Sequence, residues 1–200
     1  MAAPGLGEVP ALPGHDESMR SIELTFDPAA ESAFRAEWAA LQEAGLPNLG
    51  RHPDSSNRPH LTLAAGPGLE LTDGLRAVFQ TRADSQPPAQ PAERSTSLPV
   101  ELRVSGLVLF RAGAGRFVLA RPVVMTRALL ELHRRVLEHA PGATELTQPD
   151  HWTPHVTLAR RISADQVARA LEILTDLPPS GRCVAARFWN GETKTLTPLL

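Results

Sequence analysis

From Ser21 to Phe26 (SIELTF) apolar and polar residues alternate, with Ile22, Leu24 and Phe26 on one face, which predicts a strand. Asp27 then offers a helix cap and Pro28 a first helical residue. Phe34, Trp38 and Leu41, at spacings of four and three, carry a helix to about Ala44, and Gly45 ends it. Residues 46–58 are polar and read as a loop. Pro59–Ala65 (PHLTLAA) reads as a short strand, with Leu61 and Leu63 on one face and His60 and Thr62 on the other. A helix at about Thr72–Arg82, a Pro/Ser/Gln-rich loop over 84–97, and one long strand at about Val100–Phe110 follow, closed by the turn RAGAG.

The pattern then restarts. Arg116–Ala120 (RFVLA) predicts a strand, and Thr126 caps a helix running to about His139. After a polar loop at 140–154, His155–Leu158 (HVTL) is a strand with Val156 and Leu158 on one face and His155 and Thr157 on the other. Ser163 caps a helix to about Leu174, residues 182–190 form a strand, and Thr193–Leu196 is placed to pair with it.

The two series are copies in register. Ile22 to His60 is 38 residues, and so is Phe117 to His155. Each middle strand reads Pro-His-x-Thr-Leu: Pro59-His60-Leu61-Thr62-Leu63 and Pro154-His155-Val156-Thr157-Leu158. The 95-residue period is too long for a solenoid and predicts two pseudo-symmetric lobes, about 20–112 and 113–200, that can exchange strands. They make up one domain over 19–200, preceded by a mobile Pro/Gly-rich acidic tail at 1–18.

Composition narrows the chemistry. The 200 residues contain one cysteine, Cys183, which excludes an internal disulfide and a multi-cysteine zinc site. There is no tyrosine, so no tyrosyl nucleophile or acid exists. No apolar stretch reaches 18 residues, and the N-terminus lacks a basic region followed by an apolar core, so neither a membrane span nor a secretory signal is expected. A cytoplasmic monomer that does not bind membranes is the expectation. Net charge is −2 but uneven, about −6 in residues 1–100 and +4 in 101–200, and 19 of the 20 basic residues are Arg. Arg suits phosphate through its planar fork, yet no strongly basic stripe marks a general nucleic-acid binder. No phosphate-binding loop with Lys-Ser/Thr and no ligase lysine motif is present, which argues against an ATP-dependent ligase.

The strand period of two makes the repeat chemically meaningful. His and Thr at i and i+2 share a face, so two such strands brought together supply two imidazoles and two hydroxyls. That set suits a phosphodiester reaction. One neutral His takes a proton from the attacking hydroxyl or water, and the other, protonated, donates to the leaving oxygen. The Thr hydroxyls can bind the non-bridging phosphate oxygens. Nothing in this set requires a metal.

The paired tetrapeptides His60-Leu61-Thr62-Leu63 and His155-Val156-Thr157-Leu158 resemble those of the 2H phosphoesterase superfamily, and most nearly its LigT-like branch of 2'-5' RNA ligases and RNA 2',3'-cyclic phosphodiesterases. The resemblance covers about residues 20–197. It implies an α+β, bilobal, pseudo-symmetric fold with two antiparallel sheets lining a central cleft and helices outside. It also implies opening of a 2',3'-cyclic phosphate, or of a 2'-5' linkage, in RNA or a nucleotide, with no metal or other cofactor. On the family pattern His60, Thr62, His155 and Thr157 are the catalytic set, with His155 as base and His60 as acid. Reversible 2'-5' ligation by the same residues, and a non-catalytic RNA- or nucleotide-binding module, stand as alternatives.

Other residues are candidates for substrate contact. Trp152 and Trp189 could stack on a base. Arg160 and Arg161 follow the second motif. In a regular strand Arg161 is in register with Thr157, while Arg160 points away. His151 is four residues before His155, but Pro154 and the strand pattern argue against a helical metal face and make it a cleft-edge residue. His133 and His139 are expected to face solvent from their helix.

Overall fold

A strand that buries one face needs a helix laid against that face, and both halves of the chain supply this in the same order. The computed structural model describes residues 18–51, 56–80, 98–174 and 179–200. Most of the expected tail, the loop at 84–97, and His52 of the first polar loop lie outside these residues. Strand β1 (Arg20–Phe26) leads into α1 (Pro28–Glu43). The Asp27 carboxylate caps α1 by accepting from the Ala30 amide, and Gly45 takes up a positive φ of 71° just beyond its end. Strand β2 (His60–Gly66) and α2 (Asp73–Phe79) follow. Helix α2 ends three residues before the expected Arg82, because Gln80 has already turned to extended backbone.

The expected long strand at 100–110 is two strands. Strand β3 (Val100–Arg103) pairs with β7 (Ser180–Asn190), while β4 (Val108–Arg111) pairs with β5 (Arg116–Pro122). Ser105 and Gly106 interrupt the alternation, and there the chain crosses from one sheet to the other. The crossing is pinned by the Val104–Val123 bridge and by the Ser105 amide donating to the Pro122 carbonyl at 3.0 Å.

The second series completes the fold with α3 (Arg127–Glu138), β6 (His155–Ser163), α4 (Ala164–Ile173), β7 and finally β8 (Thr195–Pro198). Strand β6 runs five residues past the expected Leu158, up to the Ser163–Gln166 capping box of α4. The polar loops each contain a short 3-10 turn, at Leu49–Arg51 and Glu145–Thr147. Two antiparallel sheets result. One has the order β2-β1-β7-β3 with β8 against β7, and the other is β4-β5-β6. The last strand of each series has joined the sheet of the other: β4 lies beside β5, and β7 beside β1.

This topology leaves β2 and β6, the two motif strands, each at the edge of its sheet, and the two are in contact. The helices cross over as well. Helix α1 touches β6, and α3 touches β2. Buried Arg121 on β5 pairs with Glu37 of α1 (Nε to Oε1, 3.0 Å) and donates to the Gly106 carbonyl, which ties α1 to the second sheet. One continuous apolar core, including Phe34, Leu61, Leu63, Val156 and Leu158, runs beneath both sheets. Each such side chain withdrawn from water contributes about 1.5–3 kcal/mol, so the outward-facing motif residues are carried on inward anchors one position away.

Candidate active site

Each motif strand alternates as its sequence demands, and then breaks step at the same place. On β2, His60 and Thr62 are half-buried while Leu61, Leu63 and Ala64 are buried, and on β6 the same holds for His155 and Thr157 against Val156, Leu158 and Ala159. The two consecutive buried residues mark a bulge. Pairing with β1 slips between Ile22 and Glu23, so that Ile22 faces Ala64 and Glu23 faces Thr62. Pairing with β5 slips likewise, so that Leu119 faces Ala159 and Ala120 faces Thr157. A bulge adds one residue and reverses the alternation beyond it. The next residue on the motif face is therefore Ala65 on β2 and Arg160 on β6. Arg160, half-buried, is on the side of the histidines, and its charge acts on His155. Arg161 is exposed, at a positive φ of 56°. The register expected from a regular strand is thus inverted, and Arg160 takes the place anticipated for Arg161.

The two histidines are held in the same way. The Nδ1 of His60 lies 2.8 Å from the Arg58 carbonyl, and that of His155 lies 2.7 Å from the Thr153 carbonyl. A carbonyl only accepts, so Nδ1 carries the hydrogen in both rings. This leaves Nε2 as the working nitrogen: a lone pair when the ring is neutral, a proton when it is charged. The buried prolines 59 and 154 sit between each histidine and its carbonyl partner, at strand starts where the missing N–H is tolerated. Arg58 is anchored in turn by an ion pair with Glu31 of α1.

The motif threonines also have matched backbone support. The Trp38 indole N–H donates to the Thr157 carbonyl at 3.3 Å, and that of Trp152 donates to the Thr62 carbonyl at 3.0 Å. Edge strands have carbonyls without ladder partners, and these two are satisfied from the opposite series. Trp152 is therefore a buried structural residue, contrary to its expected place against a base. One ring face stacks on His133 at 3.7 Å between centroids. His133 is fully buried rather than solvent-facing, with Nε2 3.0 Å from the Thr147 carbonyl, and burial pushes its imidazole below the usual range. Trp189 is half-buried on the first sheet, opposite Ser21 and on the face that carries Glu23 and Arg187. His151 is exposed among carboxylates, 3.7 Å from Glu145 and 3.6 Å from Asp150. His139 is exposed as expected.

Four residues absent from the sequence-based set, Glu23, Arg187, Ser21 and Phe110, complete the surroundings. Glu23 of β1 is buried, with Oε1 3.6 Å from the Nε2 of His60. Arg187 of β7 binds its other oxygen at 2.8 Å, and the Ser21 hydroxyl donates to Oε1 at 2.6 Å. Burial alone would raise the Glu23 carboxyl, but the charges of His60 and Arg187 and the hydrogen bonds from Ser21 and Arg187 outweigh it and hold the group below its ordinary value. Phe110 of β4 packs on the His155 ring at 4.7 Å between centroids. Burial, then the charges of Arg160 and His60, lower the His155 imidazole against the opposing hydrogen bond to Thr153. The signal for Glu23 was visible: it is the one charged residue on the polar face of SIELTF. Arg187 and Phe110 left no such mark.

The profile of the 2'-5' RNA ligase superfamily matches residues 30–194. Among solved structures, Usb1 of Kluyveromyces marxianus aligns at 11% identity and TM-score 0.48, covering 91% of this chain and 97% of that one. Usb1 of Kluyveromyces marxianus with uridine monophosphate aligns at 11% identity and TM-score 0.44, covering 92% and 98%. No curated protein matches the chain.

Proposed function

Since the chain belongs to the 2'-5' RNA ligase superfamily, the 2H phosphoesterases, we propose that it opens 2',3'-cyclic phosphates, or 2'-5' linkages, of RNA or nucleotides without a metal. The observation that carries this reading is the pair of Nδ1-anchored imidazoles on contacting edge strands, close enough for the charge of His60 to act on His155. His155, kept neutral by burial and by its cationic neighbours, takes a proton from water through Nε2. The water oxygen bonds to phosphorus, and the bond to the 3'-oxygen breaks in line. His60, beside a carboxylate, gives its Nε2 proton to that oxygen, which leaves a 2'-phosphomonoester. Thr62 and Thr157 donate to the non-bridging oxygens, and Arg160 offsets the phosphate charge. With an RNA 5'-hydroxyl in place of water, the same groups acting in the same sense would join a 2'-5' linkage, and acting in reverse, with the 3'-hydroxyl attacking phosphorus and the 5'-oxygen leaving, would open one.

The test is turnover of nucleoside 2',3'-cyclic phosphates and cyclic-phosphate-ended RNA in EDTA. Wild type is expected to be active, with His60→Ala and His155→Ala each losing about 10²–10⁴-fold while still folded. Full activity in either variant, or loss of wild-type activity in EDTA, overturns the assignment. Binding of labelled RNA with no turnover of any of these substrates would identify a binding module instead.

A further inference from the structure

We propose that Glu23, clamped by Arg187, is a positioning residue that pairs with the Nε2 of His60 and so supports this imidazole in the proton-donor role that the family pattern gives it. The proposal rests on the reading above for its chemistry, but not for its geometry. The two motifs share sequence, bulge and Nδ1 anchor, so nothing within them distinguishes acid from base. The distinction lies in what faces each Nε2.

At His60 a buried carboxylate oxygen stands 3.6 Å away, where protonation of the ring completes an ion pair. The carboxylate is not free to turn. Arg187 holds Oε2 through Nε and Nη2, both at 2.8 Å, and is itself tied to the Ser56 carbonyl at 2.8 Å. Ser21 holds Oε1. The pairing of β1 with β2 places Glu23 opposite Thr62 and Thr25 opposite His60, so the carboxylate lies diagonally across from the imidazole on the same face. At His155 the Phe110 ring packs on the imidazole, and the charges of Arg160 and His60 oppose a second positive charge.

Among the described residues, the charged groups tied to the two rings include Glu23 and Arg187 on the first sheet and Arg160 on the second, with Arg160 also in the field of Glu23, and the Arg58–Glu31 ion pair lies beside the His60 anchor. Of these, Glu23 is the anion whose oxygen faces the His60 Nε2. It does not need to touch the substrate. A phosphodiester entering the site meets an Nε2 that faces a clamped carboxylate, and a proton carried there can pass to the leaving oxygen rather than to Glu23, because that oxygen gains basicity as its bond to phosphorus breaks.

The experiment follows the two imidazoles by NMR and the pH–rate profile, in wild type, Glu23→Gln and Ser21→Ala. Glu23→Gln keeps shape and removes charge. With the anion gone the His60 resonance is expected to titrate at lower pH than in wild type, and His155, relieved of part of the His60 charge, to move less and in the opposite sense. The ratio of turnover at pH 8 to that at pH 6 falls about tenfold, the equivalent of one pH unit on the basic limb. Ser21→Ala removes a donor that competes for Oε1 and leaves Arg187 in place. It shifts the same limb the opposite way, and so keeps the test open if Glu23→Gln folds poorly. Opposite shifts are not what a structural role would produce. Unmoved His60 titration in both variants overturns the proposal, even if both lose activity. A wild type inactive on every cyclic phosphate but with the expected shifts overturns the substrate reading and leaves the role of Glu23 standing.

Discussion

On β2, His60 faces the Glu23 carboxylate, and the next residue on its face after Thr62 is Ala65; on β6, His155 lies under Phe110, and the next after Thr157 is Arg160. The strand-level supports of the two motifs are duplicated: proline, Nδ1 anchor, bulge and an indole on the threonine carbonyl. Everything that sets the charge of the imidazoles is not. An anion serves one side, while a cation and an aromatic ring serve the other. A repeat can thus preserve the geometry of a two-centre reaction while divergence outside the motifs assigns the two roles.

The supporting tryptophans repeat the lesson. Trp38 and His133 are 95 residues apart, the same spacing as the motifs. In α1 this position donates directly to the opposite motif strand. In α3 it backs Trp152, which reaches in from the loop to make the equivalent bond.

The comparison can be broken most sharply at Arg160. Arg160→Ala should lower kcat/KM on a cyclic phosphate by about 10–100-fold, the worth of one or two charge-assisted hydrogen bonds. Arg161→Ala, on the exposed side of the second slip in β6, should change it by no more than about twofold. Equal losses in steady-state assays would reverse the register given by the bulge. Trp38→Phe and Trp152→Phe come next. Each removes one indole donor and leaves a strand carbonyl unpaired, costing about 1–3 kcal/mol in urea denaturation. Trp152→Phe should cost more, because it also disturbs the stack on His133. Identical midpoints would make the two supports equivalent.

The smallest effect is one of pH on stability. His133 and His155 are both lowered in the folded chain. As pH falls below about 6.5 the unfolded chain takes up protons that the native state refuses, so stability drops from there down through the folded values. Above that range these groups add no slope. Urea midpoints at pH 7 and pH 5 should differ in this sense, and His133→Gln should shrink the difference without abolishing it, since His155 remains.

Much of this was legible along the chain. Alternation in SIELTF and PHLTLAA, the caps at Asp27, Thr126 and Ser163, and the doubled Pro-His-x-Thr-Leu located the strands, the helices and the four motif residues. The bulges left a trace too, in the consecutive apolar pairs Leu63-Ala64 and Leu158-Ala159, but a slip in register becomes visible only against a partner strand. The break at Ser105-Gly106 was hidden for a related reason. Alternation reports which face is buried, not which sheet the strand joins.

Sequence alone determined the local rules: which residues share a face, where helices begin, and that two imidazoles and two hydroxyls recur in equivalent frames. Those rules act over neighbours in the chain, through sterics and burial that any window of residues reveals. Only the tertiary structure decided that β7 would bring Arg187 to Glu23, that Trp38 and Trp152 would cross between the halves, and that a slip would turn Arg160 inward. These contacts join residues from 90 to more than 160 positions apart. No periodicity carries across such distances, and it is packing of the two sheets that gives the matched motifs unlike surroundings.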